Sequence, residues 1–402
     1  MSVASSIKKT LESLPAEALE GQRALVRVDF NVPMANGNVA DDTRIRASLK
    51  TIEWLKDRGC RVVLLSHMGR PKGTWTESLS LRPVAQHLET LLGAPVVFIE
   101  DGLSEAAVKA TRRLRRGEVA LVENTRFAAG EEKNDAGVAE GFAKLGDFFV
   151  NDAFGVAHRA HASNAGVAKI LSPSVAGFLL TQEIEYLGSS LEDPKRPYVA
   201  VLGGAKISGK IDVIDAILPK VDKLLIGGAM ACTFFKAQGF DTGNSLVETE
   251  KLDLAKTLID ENRDKLVLPS GARIGKDLNG NGTVQQVPID SIPTGWAVYD
   301  IDDESAQVFA GHIRSAATVL WNGPMGVFET PPFDQGTLQV AQALAEATAN
   351  GAVTIVGGGD SAAAVAEAGL SHNVSHVSTG GGASLEFLEG KSLPGIDTLT
   401  DA

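Results

Sequence analysis

Three glycines followed by an acid, Gly357-Gly-Gly-Asp360, stand between an apolar β-branched run (Ala352-Val-Thr-Ile-Val356) and the alanine-rich run that starts at Ser361. Such a run reads as a buried parallel strand, and the alanines as a helix whose N-cap comes from the Asp360-Ser361 pair. Glycines lacking Cβ let backbone N–H groups approach a ligand, and a helix start adds partial positive charge, so the natural guest is a phosphate. A second glycine turn, Gly203-Gly-Ala-Lys206-Ile-Ser-Gly-Lys210, follows another apolar run. It nearly satisfies the Walker A pattern, but Ile211 stands where a hydroxyl must reach magnesium. Lys206 and Lys210 lie four apart and are expected on one face of a helix start, toward phosphates. Asp360 would repel a bare phosphate, a conflict that a Mg²⁺ ion bridging it to nucleotide phosphates resolves. Glu329, after a further strand, offers a carboxylate for a ribose, and Ser378-Thr-Gly-Gly-Gly-Ala-Ser384 a third amide-lined turn.

The first half carries the cations. One strand ends in Asp29-Phe-Asn31, with Arg44 downstream; others run into Ser66-His67-Met-Gly-Arg70, Glu123-Asn-Thr-Arg126 and Asn151 to His158-Arg159-Ala-His161. Ligands of open parallel sheets bind beyond the carboxyl ends of the strands, and forked guanidiniums match carboxylate and phosphate oxygens. The pattern reads as an anion pocket. His67, His158 and His161 lack the spacing of a metal site and are read as protonated or hydrogen-bonding imidazoles.

The elements that must position these residues alternate. Strands are expected over 24–30, 61–66, 95–99, 119–122 and 147–150, then over 198–202, 223–226, 265–268, 296–299, 318–321 and 352–356, with helical patterns between them. Strands with helical crossovers make parallel sheets covered on both faces. Asp193-Pro-Lys-Arg-Pro197 marks a boundary, and Asn279-Gly-Asn-Gly282 a hairpin turn. At 402 residues the chain is long enough for two or three domains, and its 22% charged and 44% hydrophobic content is that of a globular protein. A net charge of −12 argues against nucleic acid as a partner, and Lys109 to Arg116 reads as a solvated helix face. No apolar run approaches the roughly 20 residues that span a bilayer, no signal peptide is evident, and two distant cysteines fit a reducing compartment. A cytoplasmic chain, or a plastid one, is expected.

In order along nearly the whole chain, Arg27-Val-Asp-Phe-Asn-Val-Pro33, Ser66-His-Met-Gly-Arg-Pro71, Glu123-Asn-Thr-Arg-Phe127, Asn151-Asp-Ala-Phe154, His158-Arg-Ala-His161, Gly203-Gly-Ala-Lys206, Trp321-Asn-Gly-Pro324, Gly357-Gly-Gly-Asp360 and Ser378-Thr-Gly-Gly-Gly-Ala-Ser384 resemble phosphoglycerate kinase. The resemblance implies a monomer of α/β class: two Rossmann-like domains, with parallel sheets flanked by helices, facing each other across a cleft. Residues 1–180 would bind 3-phosphoglycerate, 181–197 form the inter-domain helix and hinge, 198–382 bind nucleotide, and 383–402 pack back on the first domain. It implies Mg²⁺-dependent, reversible phosphoryl transfer between 1,3-bisphosphoglycerate and ADP, with neither nucleic acid nor membrane as partner. Carried over, the acid-substrate site is Asp29, Asn31, Arg44, His67, Arg70, Arg126 and Arg159. The nucleotide site is Gly204, Lys206, Lys210, Gly227, Gly228, Asn322, Glu329, Gly358, Gly359, Asp360 and Ser361, with Asp360 on the metal. Arg44, Lys206, Gly359 and Gly382 are assigned to the transferring group, within amides 357–359 and 380–382. Asp302-Asp303 departs from the family's usual Gly-Pro and leaves the adenine-side loop open. The alternatives are an NAD-dependent oxidoreductase, for which the acid about 20 residues after the glycine turn is missing, and a non-catalytic two-domain binding protein.

Overall fold

The computed structural model describes residues 8–278 and 283–402, so the 279–282 turn lies outside the described residues. The backbone divides into two units: one runs to Glu185 and is joined by Ser392–Ala402, and the other is Tyr186–Lys391.

Six strands make the sheet of the first unit: β1 (Arg23–Arg27), β2 (Arg61–Leu65), β3 (Val96–Ile99), β4 (Val119–Val122), β5 (Phe148–Asn151) and β6 (Ser174–Ala176). They lie in the order β3-β4-β2-β1-β5-β6, all parallel. Alternate residues enter different cores. Ala24, Val26, Val62, Leu64 and Val150 face one side with Ile45, Ile52 and Leu55 of helix α1 (Thr43–Asp57). Leu25, Val63, Leu65, Val122 and Phe149 face the other, with Ala107 of α2 (Glu105–Arg113) and Val138 and Phe142 of α3 (Ala136–Ala143). This double burial explains why the strands read as unbroken apolar runs. The basic cluster extends from α2, and Lys109, Arg112, Arg113, Arg115 and Arg116 are all exposed.

The second unit repeats the plan with β7 (Tyr198–Leu202), β8 (Lys223–Ile226), β9 (Leu266–Val267), β13 (Thr318–Asn322), β14 (Val353–Gly357) and β15 (His376–Val377), in the order β9-β8-β7-β13-β14-β15. Three further strands, β10 (Gly271–Gly275), β11 (Gln285–Pro288) and β12 (Ala297–Ile301), form a separate antiparallel sheet. The 296–299 run was expected among the parallel strands. An apolar run carries no direction, and β12 takes β10 as its partner instead.

Helix α4 (Phe178–Glu192) runs through the division between the units. The C-terminal segment docks on the first unit through Lys9 N–H to Thr400 O (2.8 Å), Gly395 N–H to Ala157 O (2.8 Å) and Asn151 Nδ2 to Gly395 O (2.7 Å). This tail begins at Ser392 rather than 383. The helix before it, α9 (Gly382–Leu388), belongs to the second unit, where the following Lys391 bonds Asp212 at 2.8 Å.

Candidate functional site

In each parallel sheet the strand order reverses at one place, beside β1/β5 and beside β7/β13, and the loops past those carboxyl ends are where ligands of such sheets sit. In the first unit these loops are tied together. Phe30 N–H donates to Ser66 Oγ (2.8 Å), Gly69 N–H to Asn31 Oδ1 (2.9 Å), and Asn124 Nδ2 to Met68 O (2.7 Å) and Leu79 O (2.9 Å). Arg44, in the first turn of α1, donates to Asn31 O (2.9 Å) and lies 3.3 Å from Asp29, with its side chain still 37% exposed. Arg126 donates to Gly69 O (2.7 Å) and stands 3.4 Å from Glu132. Asp29, Asn31, Arg44, His67 and Arg126 are thus brought into one group. Arg159 is exposed, bonded to His158 (3.1 Å), and acts electrostatically on Arg126; Arg70 is exposed just beyond Gly69.

For two of the histidines the structure decides between the two readings. Burial, then the charge of Arg27, Arg126, His161 and Arg44, hold His67 far below the ordinary imidazole range, and burial pushes His161 down to about 3. Both are neutral near pH 7, so they serve as hydrogen-bonding groups and not as cations. Among the described residues no cluster of three or more His, Cys, Asp or Glu side chains could hold a metal.

Four participants escaped the sequence reading. Arg27, wholly buried at the end of β1, has its guanidinium pushed down to about 10 by burial and donates to Ser163 Oγ (2.9 Å). Ser163 N–H donates in turn to Glu131, also wholly buried (2.9 Å). Asp152, after β5, accepts from Leu179 N–H (2.9 Å) at the start of α4. Arg27 and Asp152 stood inside motifs that carry the resemblance, Arg27–Pro33 and Asn151–Phe154, without a role assigned to them; Glu131 and Ser163 had no signal.

In the second unit the glycines shape the loops more than they offer donors. The amide of Gly204 is taken by Pro324 O (2.9 Å), that of Gly227 by Leu202 O (2.8 Å) and that of Gly228 by Met325 O (3.0 Å), so none of the three is free for phosphate. A Cβ on Gly228 (φ +68°) would lie 2.4 Å from Gly204 N, and one on Gly203 2.1 Å from Pro324 O. Three strand ends therefore meet backbone to backbone, which only glycine allows.

Helix α5 (Ile211–Ile217) begins after both lysines, with Lys210 as its N-cap. The lysines precede the helix rather than share a face of it: Lys210 N–H closes a separate turn on Ile207 O (2.8 Å), and Ser208 N–H is tied to Glu248 (3.1 Å). Lys206 is exposed. Lys210 donates to Asn322 O (3.1 Å) and to its side-chain oxygen; burial lowers its ammonium to about 8, against the opposing charge of Asp360.

Helix α8 (Gly359–Glu367) starts at Gly359, with Gly358 (φ +90°) as its N-cap and no side-chain cap. Asp360 and Ser361 were expected to supply the cap but fall in the first turn. Asp360 is exposed there, whereas Ser361 is fully buried and accepts from Gly323 N–H (2.6 Å), which makes it a support of the loop after β13 and removes it from nucleotide contact. Asn322 is likewise only 2% exposed. Glu329 is exposed on that loop, and Gly382 is the exposed first residue of α9. Gly380 N–H donates to Ser378 Oγ (3.1 Å), which withdraws it from the amides expected around the transferring group. Asp302 caps α6 (Asp303–Ser315) by accepting from Ser305 N–H (2.9 Å), and Asp303 pairs with Arg273 at 2.5 Å, so the departure from Gly-Pro is a helix cap and an ion pair.

Two doubly wound units, each with its charged loops beyond the reversal of its strand order, place the chain among the α/β proteins whose ligands sit at such a reversal. The sequence model of the phosphoglycerate kinase family matches residues 14–391. Phosphoglycerate kinases of a Synechococcus strain and of a Nostoc strain are 52% and 51% identical to it over 399 residues, spanning 98% of this chain and 99% and 100% of theirs. The solved phosphoglycerate kinase of Coxiella burnetii superposes with a TM-score of 0.88 at 41% identity, covering 97% of this chain and 98% of that one. That of Pyrococcus horikoshii gives 0.84 at 31% identity with the same coverage. The chain belongs to the phosphoglycerate kinase family.

Proposed function

We propose that this protein, as a cytoplasmic monomer, moves a phosphoryl group reversibly between 1,3-bisphosphoglycerate and ADP, giving 3-phosphoglycerate and MgATP. The observation that carries the reading is the uncapped first turn of α8, with exposed Asp360 in it and Lys210 within its field. A helix start with open amides suits phosphate, and a single carboxylate suits Mg²⁺, which commonly keeps one or two protein carboxylates and completes its shell with phosphate oxygens and water. Bound through Asp360, the ion would neutralise phosphate charge. The acid substrate is assigned to Asp29, Asn31, Arg44, His67, Arg70, Arg126 and Arg159. Arg44 and Lys206 neutralise the group in transit, and Gly358, Gly359 and Gly382 supply backbone donors. Phosphoryl transfer is chiefly positioning and charge stabilisation, so no covalent phosphoenzyme is invoked. Because the acid and nucleotide residues belong to different units, productive geometry requires closure with both substrates bound, the tail from Ser392 and α4 serving as hinges.

The test is ADP formation from MgATP with 3-phosphoglycerate as sole acceptor, drawn forward by a coupled dehydrogenase. Turnover should vanish on chelating magnesium and fall about 10²–10³-fold in Lys206→Ala. A folded protein that binds MgATP and never turns over would instead be the non-catalytic binding protein.

A further inference from the structure

Behind the cation-rich loops a buried chain of polar groups, Glu131, Ser163 and Arg27, leads to His67; the first three are fully buried and His67 is 3% exposed. Ser163 spans both oxygens of Glu131, its N–H on one (2.9 Å) and its hydroxyl on the other. With that hydrogen committed to the carboxylate, the lone pairs of Ser163 Oγ accept from Arg27 Nε (2.9 Å). A second guanidinium nitrogen donates to Val28 O, and the third, Nη2, lies 3.2 Å from His67 Nδ1. A guanidinium has donors only, so Nδ1 must accept and the imidazole proton must sit on Nε2.

We propose that Glu131 and Ser163 are positioning residues for the acid substrate: by clamping Arg27 they fix His67 as the Nε2–H tautomer, a neutral donor presented to an anionic oxygen. The inference rests on reading this group of residues as the 3-phosphoglycerate site. The other groups acting on His67 are Asp29, 3.9 Å from Nδ1, together with Arg44, Arg126 and His161. Burial, with Arg27, Arg126 and Arg44 close by, keeps the ring neutral, so the only question a ligand meets is which nitrogen carries the hydrogen. Glu131 answers it from two residues away. Its charge also balances buried Arg27, whose removal from water would otherwise be uncompensated.

Imidazole ¹⁵N spectra of the wild-type protein at neutral pH test this directly, and steady-state kinetics of Glu131→Gln and Ser163→Ala test it independently. Expected are a single Nε2–H form for His67 in the wild type and an exchanging mixture in both variants. KM for 3-phosphoglycerate should rise roughly tenfold, the worth of one hydrogen bond to a charged group, while KM for MgATP holds. If Glu131→Gln fails to fold, Ser163→Ala, which deletes one hydroxyl and leaves the carboxylate, carries the comparison. An Nδ1–H ring in the wild type overturns the proposal, as do variants that keep both the wild-type tautomer and its KM. The two readings fail separately, since an active enzyme with the wrong tautomer loses only this network, whereas a wild type without turnover on 3-phosphoglycerate loses the function itself.

Discussion

Arg44 is fixed from two directions, by Asn31 O and by Asp29, and yet keeps more than a third of its side chain exposed. That combination suits a cation set in place before ligand arrives. A cation about 4 Å from developing negative charge is worth about 4 kcal/mol at an effective dielectric of 20. Arg44→Ala should therefore lower kcat by two or more orders of magnitude with little change in nucleotide KM; an unchanged kcat would remove Arg44 from the transition state. Arg44 was legible because a cation following a strand end is visible in the sequence. Ser163 was not, since its partners Arg27 and Glu131 lie 136 and 32 residues away and nothing local ties them together. The same limit explains the glycines. Their type announced close approach, but only the folded loops reveal that the Gly204, Gly227 and Gly228 amides are bonded to carbonyls of neighbouring strand ends.

Helix α4 draws its N-terminal anchor from Asp152, which accepts from both Leu179 and Leu180 amides, while Phe178 N–H donates to Thr51 (3.0 Å). Burial raises the Asp152 carboxyl to about 7. The folded chain thus keeps a proton that the unfolded chain sheds above about pH 4, so the unfolded state binds fewer protons. Stability from this group is full below about pH 4, declines by at most about 1.4 kcal/mol per pH unit as pH rises, and levels off above 7. Asp152→Asn retains an acceptor for the helix but cannot ionise. Its Tm relative to wild type should climb between pH 4.5 and 7 and then hold; parallel curves would mean that Asp152 does not titrate in the folded state. The sequence disclosed the apolar elements well, because strands buried on both faces repeat no polar residue. The hairpin signal at 279–282 pointed to an antiparallel excursion, and β10 and β11 on either side of it do pair antiparallel; the sequence did not disclose that β12 joins them, nor the cap of α4, supplied from another element.

At the scale of the whole chain, the two units resemble each other in plan: a six-stranded parallel sheet, reversed once, with charged loops past the reversal. The boundary was harder to read. Asp193 to Pro197 has the composition of a linker, but the division falls before it, inside the continuous helix α4; the resemblance named a C-terminal tail, and the bonds it makes set its start at Ser392. Each unit also contains one cysteine, Cys60 in the first and Cys232 in the second, both buried, with their thiols pushed up to about 11 and about 12 by burial. Since thiolate is the reactive form, neither reacts while its surroundings stay closed. The chain therefore carries two native chemical clocks, one per unit, that need no engineered label. In an alkylation time course read by mass spectrometry, 3-phosphoglycerate should slow modification at Cys60 and MgADP at Cys232, each ligand protecting the unit that binds it. Identical rates under every condition would show that the two halves breathe as one body.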